Sequence, residues 1–243
     1  MPSPDFLLDL DAVALRVDGR DILQGVTLAT DVRRLAILGR NGSGKTTLAR
    51  VIAGLQRPTS GRVRIAGVDV ARDRRGALGA VGILFQNPDH QIIFPTVGEE
   101  LAFGLAQMGL PKREILERVQ ATLAQFGKAD WHDAAIHRLS QGQRQLVCLM
   151  AILAMAPKMI ILDEPFAGLD IPTAMHLARV LDATDAALVH ITHDPLTVRE
   201  YDHALWIDAG AVRMQGDAAE VGAAYLDAMR ELGARDDLSL LSG

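Results

Sequence analysis

Nine residues concentrate the chemistry that this chain can do: Gly39, Arg40, Asn41, Gly42, Ser43, Gly44, Lys45, Thr46 and Thr47. Their pattern is G-x-x-x-x-G-K-[ST], the form of a loop that cradles phosphates. The glycines let the backbone turn tightly and aim several N–H groups at one point. Leu35-Ala36-Ile37-Leu38 before it reads as a buried strand, and Leu48–Ala53 after it reads as a helix. The helix brings its own unpaired N–H groups and positive end to the same place. Lys45 would reach the β- and γ-phosphates of a nucleoside triphosphate, and Thr46 would set a hydroxyl on Mg²⁺.

Further along, Ile160-Ile161-Leu162 is an apolar strand that ends in Asp163 and Glu164. Paired with a phosphate loop, the first carboxylate suits Mg²⁺ through water and the second suits the attacking water. Leu139-Ser140-Gln141-Gly142-Gln143 opens a helix, with Ser140 as N-cap and Gln143 completing a capping box. Two readings stand for this turn: capping alone, or a helix N-terminus offered to a phosphate. Gln86 ends a strand and is placed to touch Mg²⁺ or the water, and His193 follows a strand where an imidazole could contact a γ-phosphate. The single cysteine, Cys148, lies in an apolar helical run and reads as a buried thiol.

The elements that must hold these residues alternate along the chain. Residues 6–35 carry short apolar alternations around Asp18-Gly19, which predicts an antiparallel hairpin. Val63-Arg64-Ile65 and Val68-Asp69-Val70 predict a second one, and Gly54 closes the helix after the phosphate loop. Asp73-Arg74-Arg75 reads as a charged surface stretch. Val81–Phe85 predicts a buried strand. Helices follow over Val97–Gln107, Lys112–Phe126 and Gln141–Ala156, the first with Thr96-x-x-Glu99 as a capping box and the second opened by Pro111. Met159–Leu162 and Ala187–Ile191 are buried strands again. Ala204–Ile207 and Val212–Met214 read as edge strands around Asp208-Ala209-Gly210. A helical pattern begins at Ala218, and Asp236–Gly243 reads as loose.

Half of the composition is hydrophobic, 49%, across 243 residues, enough for a sizeable core. Aromatics make up only 4% and the net charge is −5, which argues against nucleic acid as a partner. The start of the chain shows no basic segment followed by an apolar one, so no signal peptide is expected. The apolar run Leu146–Ala156 is too short to span a bilayer, so membrane association is expected through a partner.

In order and spacing these residues resemble the nucleotide-binding subunit of ABC transporters along nearly the whole chain. The resemblance names Gly39–Thr46 as Walker A, Gln86 as the Q-loop, Leu139–Gln143 as the signature and Ile160–Glu164 as Walker B. Ala167-Gly168-Leu169-Asp170 becomes the D-loop and His193 the switch histidine. It implies an α/β fold: a P-loop NTPase core of mixed sheet and helices, with an N-terminal antiparallel β subdomain and an inserted helical subdomain. The expected boundaries are a core of 1–86 and 157–217, a helical subdomain over about 87–156, and a tail of 218–243, all within one ATPase domain. It further implies ATP and Mg²⁺ as cofactors. Glu164, His193 and Gln86 are the catalytic candidates, and Thr46, Gln86 and Asp163 the metal candidates. The nucleotide candidates are Gly39–Thr47 with Ser140, Gly142, Gln143 and Asp170. In the implied head-to-tail homodimer, Ser140 and Gly142 of one subunit cover the ATP of the other. Two positions depart from the family. Gln141 stands where a Gly is usual, with activity expected to survive. Arg16 and Val17 stand near where an adenine-stacking aromatic is usual, and the Arg16 guanidinium could stack in its place.

The stretch from Gln86 to Gly104 is similar to energy-coupling-factor ATPases, which drive micronutrient importers, and within them to the biotin type. Ala167–Thr173 and Gln145–Met150 point the same way. The expected function is the ATP-hydrolysing subunit of such an importer, peripheral on the cytoplasmic face of the membrane. Its expected partners are a second ATPase subunit, a transmembrane coupling subunit and a substrate-binding membrane subunit. A cobalt or nickel importer of the same group is one alternative. A soluble ABC ATPase is another, although the long coiled-coil inserts of repair members and the paired cassettes of translation members are missing from this sequence. Ile92, Ile93 and Phe94 are apolar outside any expected strand, flanked by Asp89, Glu99 and Glu100. They read either as a groove with an acidic rim for a basic coupling helix or as packing inside the helical subdomain.

Overall fold

The computed structural model describes residues 6–234. In chain order the elements are β1 (Leu8–Val17), β2 (Arg20–Thr30), β3 (Arg34–Leu38), α1 (Lys45–Ile52), β4 (Ser60–Ile65), β5 (Val68–Asp69), α2 (Arg74–Ala80), β6 (Val81–Leu84), α3 (Val97–Gln107), α4 (Lys112–Gln125), α5 (Gln141–Ala154), β7 (Met159–Asp163), α6 (Ile171–Asp182), β8 (Ala187–Thr192), β9 (His203–Asp208), β10 (Ala211–Asp217) and α7 (Ala218–Gly233). The chain divides into two compact units, Arg74–Ala186 forming one and the residues on either side of it forming the other. The loose segment expected at 236–243 lies outside the described residues.

In the flanking unit, β1 and β2 form the expected hairpin, with Val17 opposite Arg20 across Asp18-Gly19. Both turn residues have positive φ, 49° and 79°, the geometry whose twist matches the strands it joins. The sheet order is β2-β1-β4-β5. In the same unit β3 runs parallel to both β8 and β9, and β10 turns back antiparallel to β9. The expectation that β9 and β10 both form edges is therefore corrected: β9 lies between β10 and β3. Its Ala204, Leu205, Trp206 and Ile207 are all buried, a continuous run rather than an alternation, as an inner strand requires. Trp206 meets Tyr225 of α7 edge to face at 5.4 Å between centroids, and with Leu38, Val198 and Val221 they form a core between α7 and the strands.

In the Arg74–Ala186 unit, β6 and β7 pair in parallel, and α3, α4 and α5 form the expected helical region. Seven residues of α2 stand where only a charged stretch was expected. Gly76 and Gly79 lower its helical propensity, and burial of Ala77 and Ala80 with an Arg75 Nε–Met108 O bond of 3.0 Å compensates. The capping box at Ser140 forms in full. The one expected at Thr96 forms by half: Thr96 accepts from the Glu99 N–H, but the Glu99 carboxylate takes the Thr96 hydroxyl rather than its backbone N–H. Gly82 is required because a Cβ there would strike Ile152 of α5.

His190 of β8 is buried and its Nδ1 lies 3.2 Å from the Tyr201 hydroxyl. Burial disfavours the imidazolium and pulls the pKa from 6.5 down to about 4. Between those values the unfolded chain binds a proton that the folded chain refuses. This group therefore lowers stability as pH falls through that window, by about 3 kcal/mol in all, and is neutral in effect above it. The measurement is urea unfolding of the parent and His190→Gln from pH 7 to pH 4.5. The gap between the two should shift steadily in favour of the variant as pH falls; a constant gap would show that the imidazole is not held neutral.

Candidate functional site

The phosphate loop leaves the carboxyl end of β3 and enters α1 at Gly44, which is the left-handed N-cap at φ +101°. The loop is shaped by close approach. A Cβ on Gly39 would collide with the Ile207 carbonyl and sit 2.6 Å from Ser43 Oγ; one on Gly44 would lie 3.1 Å from the Ile22 carbonyl. The β9–β10 turn holds the loop from outside: Gly210 N–H donates to Ser43 O at 3.0 Å, and Gln24 N–H donates to Gly210 O at 2.8 Å. Inside, the buried Lys45 ammonium donates to the carbonyls of Gly39 at 2.7 Å and Arg40 at 2.8 Å. The buried Ser43 hydroxyl has no hydrogen-bond partner among the described residues. A buried polar group of this kind is normally satisfied, so it fits a loop built around an anion.

Register places the other candidates at neighbouring strand ends. Leu38 of β3 pairs with Thr192 of β8, so Gly39 and His193 leave the same end of two adjacent parallel strands. In the Arg74–Ala186 unit Leu84 of β6 pairs with Leu162 of β7, so the Phe85-Gln86 segment and Asp163-Glu164 also leave together. Carboxyl ends of parallel strands are where α/β sheets bind ligands. Asp163 is buried. Glu164 takes a left-handed φ of +49°, an uncommon backbone for a glutamate, and the chain breaks from the strand there. Thr46 follows Lys45 in the first turn of α1. Thr46 carries a hydroxyl and Asp163 a carboxylate, both of the hard oxygen type that Mg²⁺ prefers.

The signature turn and the D-loop lie against each other. Gly142 has no room for a Cβ, which would sit 2.6 Å from Thr173 Cγ2. Gln141 Nε2 lies 3.1 Å from where a Cβ on Gly168 would be, so the side chain turns back onto its own subunit's D-loop. Asp170 is the N-cap of α6 and accepts from Thr173 N–H at 2.9 Å. The Thr173 hydroxyl and N–H together hold its carboxyl below the usual range. Near the other departure, Arg16 Nε is paired with Asp21 at 3.1 Å and Val17 is exposed.

Sequence reasoning missed the residues that hold the Q-loop. Gln145, buried in α5, donates to Phe85 O at 2.9 Å, and Phe85 N–H donates to Gln91 Oε1 at 3.2 Å. A glutamine in the apolar run of α5 was the available signal, since a buried amide needs a partner. The expected acidic rim is corrected at Glu100. That carboxylate is buried and accepts from the N–H groups of Ile93 and Phe94, both at 2.9 Å, so it shapes the segment rather than facing solvent. Ile93 is 68% exposed, while Phe94 packs on Phe103 at 5.2 Å. A cavity of about 480 Å³ beside them is lined by Asp89, Ile92, Phe94, Ile136, His137 and Arg144, and Arg144 Nε lies 3.0 Å from Asp89. A larger cavity of about 700 Å³ carries Lys158, His176 and Arg179. Of these, Arg179 stands in the last turn of α6, where a cation complements the negative end of the helix. Cys148 is buried as expected, and burial, with Glu100 and Asp89 nearby, pushes its thiol up to about 12.

Among the described residues no helix is long and apolar enough to cross a membrane. Residues 27–167 match the family model described as ABC transporter. The chain is 50% identical over 225 residues to the biotin transport ATP-binding protein BioM of Rhodobacter capsulatus, covering 93% of this chain and 96% of that one. It is 38% identical to the nickel import ATP-binding protein NikO of the same organism, covering 88% of this chain and 90% of that one. Among solved structures, cbiO1 from Clostridium perfringens, part of the ABC transporter complex cbiONQ, superimposes with a TM-score of 0.75 at 32% identity, covering 96% of each chain. A glycine loop capped by a buried lysine, acids at the end of a parallel strand and a relative matched over nearly its whole length agree: the chain belongs to the ABC transporter family, as one of its ATP-binding, ATP-hydrolysing subunits.

Proposed function

We propose that this subunit powers an energy-coupling-factor importer of a micronutrient, with biotin as the cargo. The observation that carries the cargo is the 50% identity to a biotin transport ATP-binding protein across nearly the full length of both chains. A nickel or cobalt importer is the second reading, favoured by the 38% match to a nickel import ATP-binding protein. The subunit works as a pair at the cytoplasmic membrane face, with a transmembrane coupling subunit and a substrate-binding membrane subunit.

In this reading the Lys45 ammonium exchanges the Gly39 and Arg40 carbonyls for the β- and γ-phosphate oxygens. The loop N–H groups and the positive end of α1 hold the same phosphates. Thr46, Asp163 and Gln86 would hold Mg²⁺, which when bound offsets charge on the phosphate oxygens as the γ-phosphoryl departs. Glu164 orients the attacking water, and His193 contacts the γ-phosphate from the adjacent strand end. Ser140, Gly142 and Gln143 at the start of α5, with Asp170 of the D-loop, close over the nucleotide of the partner. Gln86 carries the state of the nucleotide to the Ile92–Phe94 segment, since Gln145 and Gln91 clamp the residue before it. That segment and its cavity receive a basic, amphipathic helix of the coupling subunit.

Two outcomes test this. Glu164→Gln should bind ATP, form a stable dimer on size exclusion and lose at least about a hundredfold in turnover, the scale at which loss of a water-positioning group registers. Hydrolysis at the parent rate would remove Glu164 from its role. Ile93→Asp should keep ATP-driven dimerisation but fail to co-purify with the coupling subunit from membranes. Undiminished co-purification would place docking elsewhere. The cargo is read by identifying the small membrane protein recovered with the parent and by whether it binds biotin or Ni²⁺.

A further inference from the structure

We propose that Gln141 and Thr173 lock the signature turn to the D-loop of the same subunit, so that the two move as one body. The inference rests on the head-to-tail dimer of the preceding section. Two contacts carry it, and they come from opposite directions. From α6, the Thr173 methyl fills the space over Gly142, 2.6 Å from an ideal Cβ. That methyl cannot withdraw cheaply, because Asp170 holds Thr173 by both its N–H and its hydroxyl. From α5, the Gln141 amide lies over Gly168, whose φ of +74° bends the D-loop, and leaves 3.1 Å to the position of a Cβ. The signature turn therefore presents Gly142 to a side chain in the first turn of α6, the helix that the D-loop opens, and the D-loop presents Gly168 to a side chain of the signature turn. Rotating the signature turn presses Gly142 toward the Thr173 methyl, because packed atoms do not interpenetrate, and the Gln141 amide must give before Gly168 can move toward it.

The consequence lies in the dimer. The signature turn faces the ATP held by the partner, while the D-loop follows the Asp163-Glu164 acids of its own subunit. An element that ties these two turns makes closure at one nucleotide felt at the other. Gln141 and Thr173 are positioning residues in this account: neither is assigned contact with ATP or the attacking water.

The test uses the full chain. In the Glu164→Gln background, the half-life of the ATP-trapped dimer is measured after dilution, by size exclusion, with and without Gln141→Ala or Thr173→Ser. The second change removes the methyl over Gly142 and keeps the hydroxyl on Asp170. Each should shorten the half-life about five- to tenfold, inside the roughly 2- to 30-fold span over which coupling residues act. Thr173→Val, which keeps a methyl over Gly142 but gives up the hydroxyl bond to Asp170, should shorten the half-life less than Thr173→Ser does, and the reverse order would overturn the role of the methyl. With Glu164 restored, Gln141→Ala and Thr173→Ser should lower kcat and bring the Hill coefficient for ATP toward one, while the nucleotide Kd of the monomer holds. A lost monomer Kd would point to general damage and overturn the proposal. If Glu164→Gln alone gives no ATP-dependent dimer, the dimer reading falls and takes the proposal with it. If that dimer forms but its half-life ignores both substitutions, the interlock alone is wrong.

Discussion

A buried ammonium must find oxygen, and the geometry of the phosphate loop follows from how Lys45 finds it. Two carbonyls of the loop itself, from Gly39 and Arg40, accept its protons. For those carbonyls to point inward, the chain must curl back over the start of α1, and side chains cannot fit at Gly39 or Gly44 while it does. The curl is then pinned from outside by Gly210 in the β9–β10 turn. That turn is placed by β9, which is placed by its pairing with β3, the strand that feeds the loop. The arrangement closes on itself: the sheet supplies the loop, and the last hairpin of the sheet keeps the loop in shape. A desolvated charge left without those carbonyls would cost several kcal/mol, so the loop and its lysine must form together.

The parts of this arrangement written in local pattern could be read from the residues alone. The glycine spacing around Lys45, the Asp18-Gly19 turn, the Ser140–Gln143 cap and the acidic end of β7 each depend on neighbours within a few positions. What depended on distant pairing was hidden. Nothing in Ala204–Ile207 announces a parallel partner at Leu35–Leu38, far back in the chain, although the absence of alternation hinted at burial on both faces. Glu100 looked like a rim charge because glutamate is seldom buried; only the folded segment shows two backbone N–H groups in need of an acceptor. Gln141 could be recognised as unusual, but its direction was fixed by α6 and the D-loop rather than by its own helix.

The Q-loop shows how a connecting segment can be kept taut without regular structure. Its last strand residue hands over to Phe85, whose N–H and carbonyl are both taken by glutamine side chains, one from the following loop and one from the middle of α5. A shift of α5 therefore pulls on this segment through a single buried hydrogen bond. The same helix begins at the signature turn. The Ser140–Gln143 cap and the bond that holds Phe85 therefore belong to one helix, the first at its start and the second within its first two turns.

The contact between Gly142 and Thr173 also constrains how the sequence can drift. A side chain at position 142 would meet the Thr173 methyl unless residue 173 shrinks or shifts. The easier route therefore shrinks one position before enlarging the other. At Gly168 the left-handed φ of +74° strains any side chain, and the Gln141 amide adds a neighbour that must move aside. Two short stretches nearly thirty residues apart in the chain are bound to a common mutational path, and a swap of either one from a distant relative would fail unless its counterpart travelled with it.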